Sequence, residues 1–224
     1  ARRTVRRLGP SQLPTAEMPV LFSPRVASGL VGHLVGAVSG SALYRNASFL
    51  KDRAGEAIFP GWLVLQERPR LLRGAASANF DAEGVATRSR DLVDAGVLTG
   101  YVLSSYSARR LGLETTANAG GVRNLLLTPG GELEGDLLSG LDNGFYVTEV
   151  MGQGVNLVTG DYSRGASGFL VKDGELVHPV EEVTIAGNLA DMFSNIAAAG
   201  GDIDTRGNIH SGSILVRDMM VAGS

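Results

Sequence analysis

The chain of 224 residues contains no cysteine. Disulfides, thiolate nucleophiles and thiolate metal sites are therefore excluded. Histidine is scarce, with three residues, and tryptophan occurs once. Positive charge is not in excess: the net charge is −3, which argues against the basic balance usual in nucleic-acid binders. No apolar run reaches the length needed to span a bilayer. No secretory leader is expected in this stretch, because its basic start is not followed by an apolar core. These absences suggest a cytoplasmic protein. The apolar content of 44% is that of a globular chain, and the length suffices for one large domain or two small ones.

Glycine, in contrast, is abundant, with 31 residues. It is concentrated meaningfully in Ser23–Gly40, SPRVASGLVGHLVGAVSG. This stretch predicts a helix. Ser23 is placed to cap it, and Pro24 fits the first helical position, where a missing N–H costs nothing. Val26, Leu30, Leu34 and Ala37 recur at helical spacing, and Val31, Val35 and Val38 add a second apolar stripe. Gly29, Gly32, Gly36 and Gly40 fall on one side. Each costs about 1 kcal/mol relative to alanine in a helix interior. Such a stripe either lets another element of the domain approach closely or borders a groove or subunit interface. His33 is the ionisable group in mid-helix and needs a hydrogen-bond partner if buried.

The remainder reads mainly as strands and turns. Residues 1–8 look like the basic end of a helix stopped by Gly9 and Pro10, and residues 1–19 as a linker from a preceding domain. A strand is expected over Met18–Phe22, and another over Trp62–Gln66. Residues 67–84 read as a loop with solvated charges. Val85–Val93 and Val97–Ser104 flank a turn at Asp94–Ala95–Gly96. Helices are expected at 104–112 and around Leu133, Leu137, Leu138 and Leu141, and a strand at 123–128. Strands at 145–150 and 155–158 flank Gly152–Gln153–Gly154. This is not a dinucleotide fingerprint, since Leu157 occupies the third glycine position and no helix follows. In Gly160–Gly168, GDYSRGASG, the side chains of Asp161, Tyr162, Ser163 and Arg164 suit a peptide or phosphate, but the run is read first as a turn in which Asp161 pairs with Arg164. Asp173–Gly174 is a strong hairpin signal between 169–172 and 175–179. Strands at 183–186 and 213–216 and a helix capped by Asn188 complete the chain. The short connections favour antiparallel pairing, so the fold class is α+β, with a curved, barrel-like sheet around the glycine helix.

Three runs carry a family resemblance: PVLFSPRVASGLVGHLVGAVSGSALYRNASFL, VTEVMGQGVNLVTGDYSRGASGFLV and VTIAGNLADMFSNIAAAGGDIDTRGNIHSGS. In order, they resemble the C-terminal domain of the TldD/PmbA family, formerly called modulator of DNA gyrase, and in particular its PmbA (TldE) branch. The resemblance implies a domain over 20–224, preceded by an N-terminal α/β domain. TldD-type members carry the zinc peptidase motif HExxxH on this helix, completed by a distant cysteine. Position by position, the first histidine falls on Ser28, the glutamate on Gly29, the second histidine on His33 and the cysteine on Ser211. A hydroxyl is a poor zinc ligand, and glycine offers no general base.

The resemblance thus implies a non-catalytic chain without its own metal. It would pair with a zinc-bearing TldD-type subunit as a heterodimer, or with itself when alone, and act on unfolded or flexible peptides. Gly32, His33, Gly36 and His210 are the candidate cleft or interface residues. An alternative is a metallopeptidase rebuilt on His33 and His210, although two histidines without a carboxylate base make a poor zinc hydrolase. Ser28, Ser163 and Ser211 show no triad order or nucleophile elbow. A further alternative is a gyrase-linked binding module, against which the acidic balance counts.

Overall fold

A computed structural model describes residues 2–223, with the side chains of Arg2 and Arg3 left aside. Of the expected basic helix end and of the C-terminal boundary, Ala1 and Ser224 lie outside the described residues. The elements in chain order are α1 (Arg2–Val5), β1 (Ala16–Phe22), α2 (Pro24–Ala37), α3 (Gly40–Tyr44), β2 (Leu65–Glu67), β3 (Arg90–Asp94) and β4 (Val97–Leu98). Next come α4 (Ser105–Leu111), β5 (Leu125–Leu127), α5 (Glu134–Ser139), β6 (Asn143–Met151), β7 (Asp161–Lys172) and β8 (Glu175–Asn188). The chain ends with α6 (Leu189–Ser194), β9 (Ile196–Ala199), β10 (Ile209–His210) and β11 (Ile214–Ala222).

The larger sheet runs β1-β6-β7-β8-β11-β9, and β1 also pairs with β11. Five strands therefore close into a barrel, with β9 added on β11. Closure removes the exposed edges that an open sheet would leave. All pairings in the ring are antiparallel except β1 with β6. The smaller sheet runs β10-β5-β2-β3-β4. The molecule is thus α+β, as the short connections suggest.

Alternation sorts the barrel residues into two faces. Val20, Phe145 and Leu170 lie side by side and join the main core. One residue on, Leu21, Tyr146 and Phe169 face the other way, where Leu137 and Leu141 from the α5 region cover part of them. The main core also takes in Leu30, Val31 and Leu34 of α2 and Leu65 and Leu92 of the smaller sheet. The glycine helix is consequently the joint between the two sheets. Among the described residues, no helix is long and apolar enough to cross a membrane.

Several expectations change. The helix ends at Ala37, and Gly40 instead begins α3, with Ser39 accepting the Ala42 N–H at 3.4 Å. The strand expected from Met18 starts at Ala16, and Leu13, expected in a linker, is buried. Residues 155–158 form no strand; Val155 makes one isolated bridge to Tyr162. The run 161–168 is not a turn but the start of β7, and the strands expected at 175–179 and 183–186 are one strand, β8. Asp161 accepts a hydrogen bond from Thr159 at 2.6 Å rather than pairing with Arg164. Strand alternation puts their side chains three residues apart, on opposite faces.

The charges of 67–84 are not all solvated. Glu67 is 2% exposed and accepts from Arg90 Nε at 2.8 Å, Asn118 Nδ2 at 2.7 Å and Arg123 N–H at 2.8 Å. Two turns form as read. Ala95–Gly96 and Asp173–Gly174 both have positive φ at both central residues, the backbone of a type I′ hairpin. The Gly112 αL cap and the Ser104–Ser107 capping box bound α4.

Candidate functional site

A groove of about 780 Å³ runs over the outer face of the barrel. Tyr146 and Phe169 of β6 and β7 form part of its floor. The first turn of α2 closes one end, with Ser23, Pro24, Arg25 and Gly29 in the lining. The loop Asp202–Arg206 faces them.

The start of α2 is rigid because β1 runs directly into it. Ser23 N–H donates to Val147 O at 3.0 Å, and Ser23 O accepts the N–H groups of Val26 and Ala27, each at 2.8 Å. Pro24 occupies the first helical position, as its fixed φ favours. The Ser23 side chain, expected to cap, makes no cap hydrogen bond. The Val26 N–H that it would satisfy is already taken by the Ser23 carbonyl in a tight first turn.

The loop opposite is held by its acids. Asp204 accepts from Arg206 Nε at 2.8 Å, Nη2 at 2.5 Å and backbone N–H at 3.1 Å. The Arg206 side chain, then its N–H, draw the Asp204 carboxyl down to about 2, and Arg25 adds a weaker attraction. Asp204 N–H also donates to Ser211 O at 3.0 Å. Asp202 accepts Ser213 Oγ at 2.6 Å and Ser213 N–H at 3.1 Å.

The glycine stripe divides by position. A Cβ on Gly29 would meet nothing within 4 Å, and one on Gly32 would only touch Ile209 Cδ1 at 3.9 Å. On Gly36 it would press Leu157 Cδ1 at 3.0 Å, and on Gly40 it would overlap Ser107. Close approach thus applies at the C-terminal end of the stripe, and the groove borders the N-terminal end.

The residues singled out in the sequence are arranged as follows. Ser28 Oγ donates to Arg25 O at 2.9 Å, inside the helix. His33 lies one turn beyond Gly29, its ring edge-on to Tyr162 with centroids 5.9 Å apart. Burial, and then the Arg164 charge, lower its pKa and favour the neutral ring. Ser211 is fully buried and donates to Gly212 O at 2.9 Å. His210 is buried, with Nε2 3.1 Å from Gly207 O. Gly29 and, through Asp204, Ser211 therefore meet at the same end of the groove. His33, Gly32, Gly36 and His210 do not line it.

These donors do not fit a zinc ion. Two of the four positions hold hydroxyls already donating to carbonyls, one has no side chain, and the fourth is an imidazole against a tyrosine ring. Among the described residues no three His, Cys, Asp or Glu groups are placed to hold a metal. Nor is Ser28, Ser163 or Ser211 hydrogen-bonded to a histidine among the described residues. The arrangement offers hydroxyl, N–H and guanidinium groups over an aromatic floor, which is equipment for binding. Sequence reading missed Arg25, Asp204 and Arg206. The Asp-x-Arg spacing of 204–206 was the available signal for the clamp.

The chain belongs to a family of metallopeptidase C-terminal domains. Residues 15–223 match the PmbA/TldA metallopeptidase C-terminal domain family. The chain is 52% identical to the metalloprotease PmbA of Escherichia coli O157:H7 and 49% identical to the PmbA homologue of Haemophilus influenzae, over its whole length in both cases. It spans 50% of the length of each of these relatives. Among solved structures, a protein described as a modulator of DNA gyrase from Bacteroides thetaiotaomicron superposes with a TM-score of 0.95 at 30% identity, covering 100% of this chain and 51% of that one. TldE from Thermococcus kodakarensis shares the fold, with a TM-score of 0.85 at 24% identity over 99% of this chain and 54% of that one.

Proposed function

We propose that the protein is the metal-free companion in a TldD/TldE-type heterodimeric metalloprotease acting on unfolded or flexible peptides. The observation that carries this reading is Gly29. It lines the groove, its Cβ direction is open, and yet the position that bears the catalytic glutamate in TldD-type relatives has no side chain. Zinc and the activated water belong to the TldD-type partner. This chain contributes the wall of a cleft in which an extended peptide is held largely through its backbone, so that little sequence is read.

Co-expression with a TldD-type subunit, followed by cleavage of an unfolded peptide, tests the proposal. The pair should cleave, each protein alone should not, and His33→Ala in this chain should leave cleavage intact. Cleavage by this protein alone, abolished in His33→Ala, would overturn it.

A further inference from the structure

Away from the groove, α3 and α4 carry a surface cluster of tyrosine and arginine. The two helices meet closely: a Cβ on Gly40 would overlap Ser107, and Leu43, Leu103 and Ala108 are buried together. Beside that contact the Tyr44 and Tyr106 rings stand edge to face, with centroids 5.8 Å apart and planes at 84°. Two guanidiniums lie over the Tyr44 ring, Arg110 at 5.7 Å from its centroid and Arg45 at 5.9 Å. Arg110 comes from α4, one turn after Tyr106 and on the same side of the helix. Arg45 caps α3 and is steadied by its Nε, which donates to Ser41 O at 2.8 Å. Arg45, Tyr106, Arg109 and Arg110 are exposed. Among the described residues, none of the three arginines has an ion pair. Glu114 follows α4 without pairing with them, and Glu83, at the other end of α4, accepts the Ser105 N–H at 2.7 Å.

The helix dipole does not account for the cluster. Arg109 and Arg110 lie in the last turn of α4, where positive charge is favoured, but the Gly112 and Leu113 N–H groups already satisfy carbonyls there, and Arg45 belongs to another helix. Two cations held over one ring repel each other, and an anion between them relieves that repulsion. The ring restrains both guanidiniums and leaves their terminal N–H groups for a carboxylate. We infer that this cluster is a docking site for an acidic segment of a partner protein. Exposed tyrosine beside arginine is the composition of interface anchors. A nucleic-acid strand fits less well. Guanidiniums already occupy the Tyr44 ring on which a base would stack, and the chain's net charge of −3 opposes a continuous phosphate backbone. The inference is independent of the companion-subunit reading.

The test is fluorescence anisotropy on the purified protein at low salt, with a labelled peptide alternating glutamate and serine and the same peptide with glutamine for glutamate. The glutamate peptide should bind and the glutamine peptide should not, and added salt should weaken the binding. Arg45→Gln and Arg110→Gln should each weaken it about threefold, and the double variant about tenfold, with Tm unchanged. Tyr44→Phe should bind as the wild type does. Tyr44→Leu, which keeps every charge but removes the ring, should weaken binding about threefold. Arg217→Gln, on the barrel strand β11, is the control and should change nothing. No binding of the glutamate peptide, equal binding of both peptides, or binding untouched by the double variant would overturn the site. So would equal weakening in Arg217→Gln, which marks general charge attraction, or wild-type binding in Tyr44→Leu. A labelled oligothymidylate is the last arm: tighter binding of it than of the glutamate peptide, lost in Arg110→Gln, would assign the patch to single strands and overturn the protein partner.

Discussion

At the scale of single residues, glycines in one stripe do different work. Gly29 has room for a Cβ and an ordinary backbone, so Gly29→Ala should raise stability by up to about 1 kcal/mol through helix propensity. Gly40→Ala should lower it by roughly 1–3 kcal/mol, because the added carbon overlaps Ser107. Thermal melts of the two variants should therefore move in opposite directions; parallel shifts would contradict the division of the stripe. His33 gives a pH signature. Burial, and next Arg164, hold its pKa below the ordinary 6.5, so unfolding takes up a proton in the window between the two values. Native stability should fall as pH drops below about 6.5, until the folded-state pKa is passed. His33→Gln should flatten that slope in denaturant titrations across the window. Asp81 acts at lower pH. Burial alone would raise its pKa, but N–H groups of Ala119, Val85 and Glu83 outweigh it and leave a net lowering. Its contribution is present above the ordinary carboxylate range and is lost as pH falls through its depressed value.

At the scale of elements, the buried Glu67 joins β2 to β3 through Arg90 and to the 118–123 loop through Asn118 and the Arg123 N–H. Glu67→Ala strands the Arg90 charge and should cost roughly 3–5 kcal/mol, readable as a lower urea midpoint. Elements with local causes were legible in the sequence. Asp173–Gly174, Ser104 with Gly112, and Pro24 at the start of α2 each specify their turn or helix end within a few residues. Elements with distant causes were not. GDYSRGASG resembles a turn by composition, but Gly165 and Gly168 are the places where β6 comes close, and the run becomes a strand by pairing on both sides. Similarly, Glu67 looked solvated because its partners lie 23 to 56 residues away. The candidate site divides in the same manner. Gly29 and His33 could be placed by a helical motif, whereas Arg25, Asp204 and Arg206 meet only after the chain has closed the barrel.

For the whole molecule, closing β1 onto β11 brings the first and last strands together and sets α2 between two sheets. The four positions that the resemblance aligns with the TldD-type site hold a hydroxyl, a hydrogen, an imidazole and a second hydroxyl, and of these Gly29 borders the groove. The most direct measurement of the companion role is the zinc content of the protein purified alone and with a TldD-type subunit. The expected result is no stoichiometric zinc alone, and one ion per pair that survives His33→Ala in this chain. One ion bound by this protein alone, and released by His33→Ala, would contradict it.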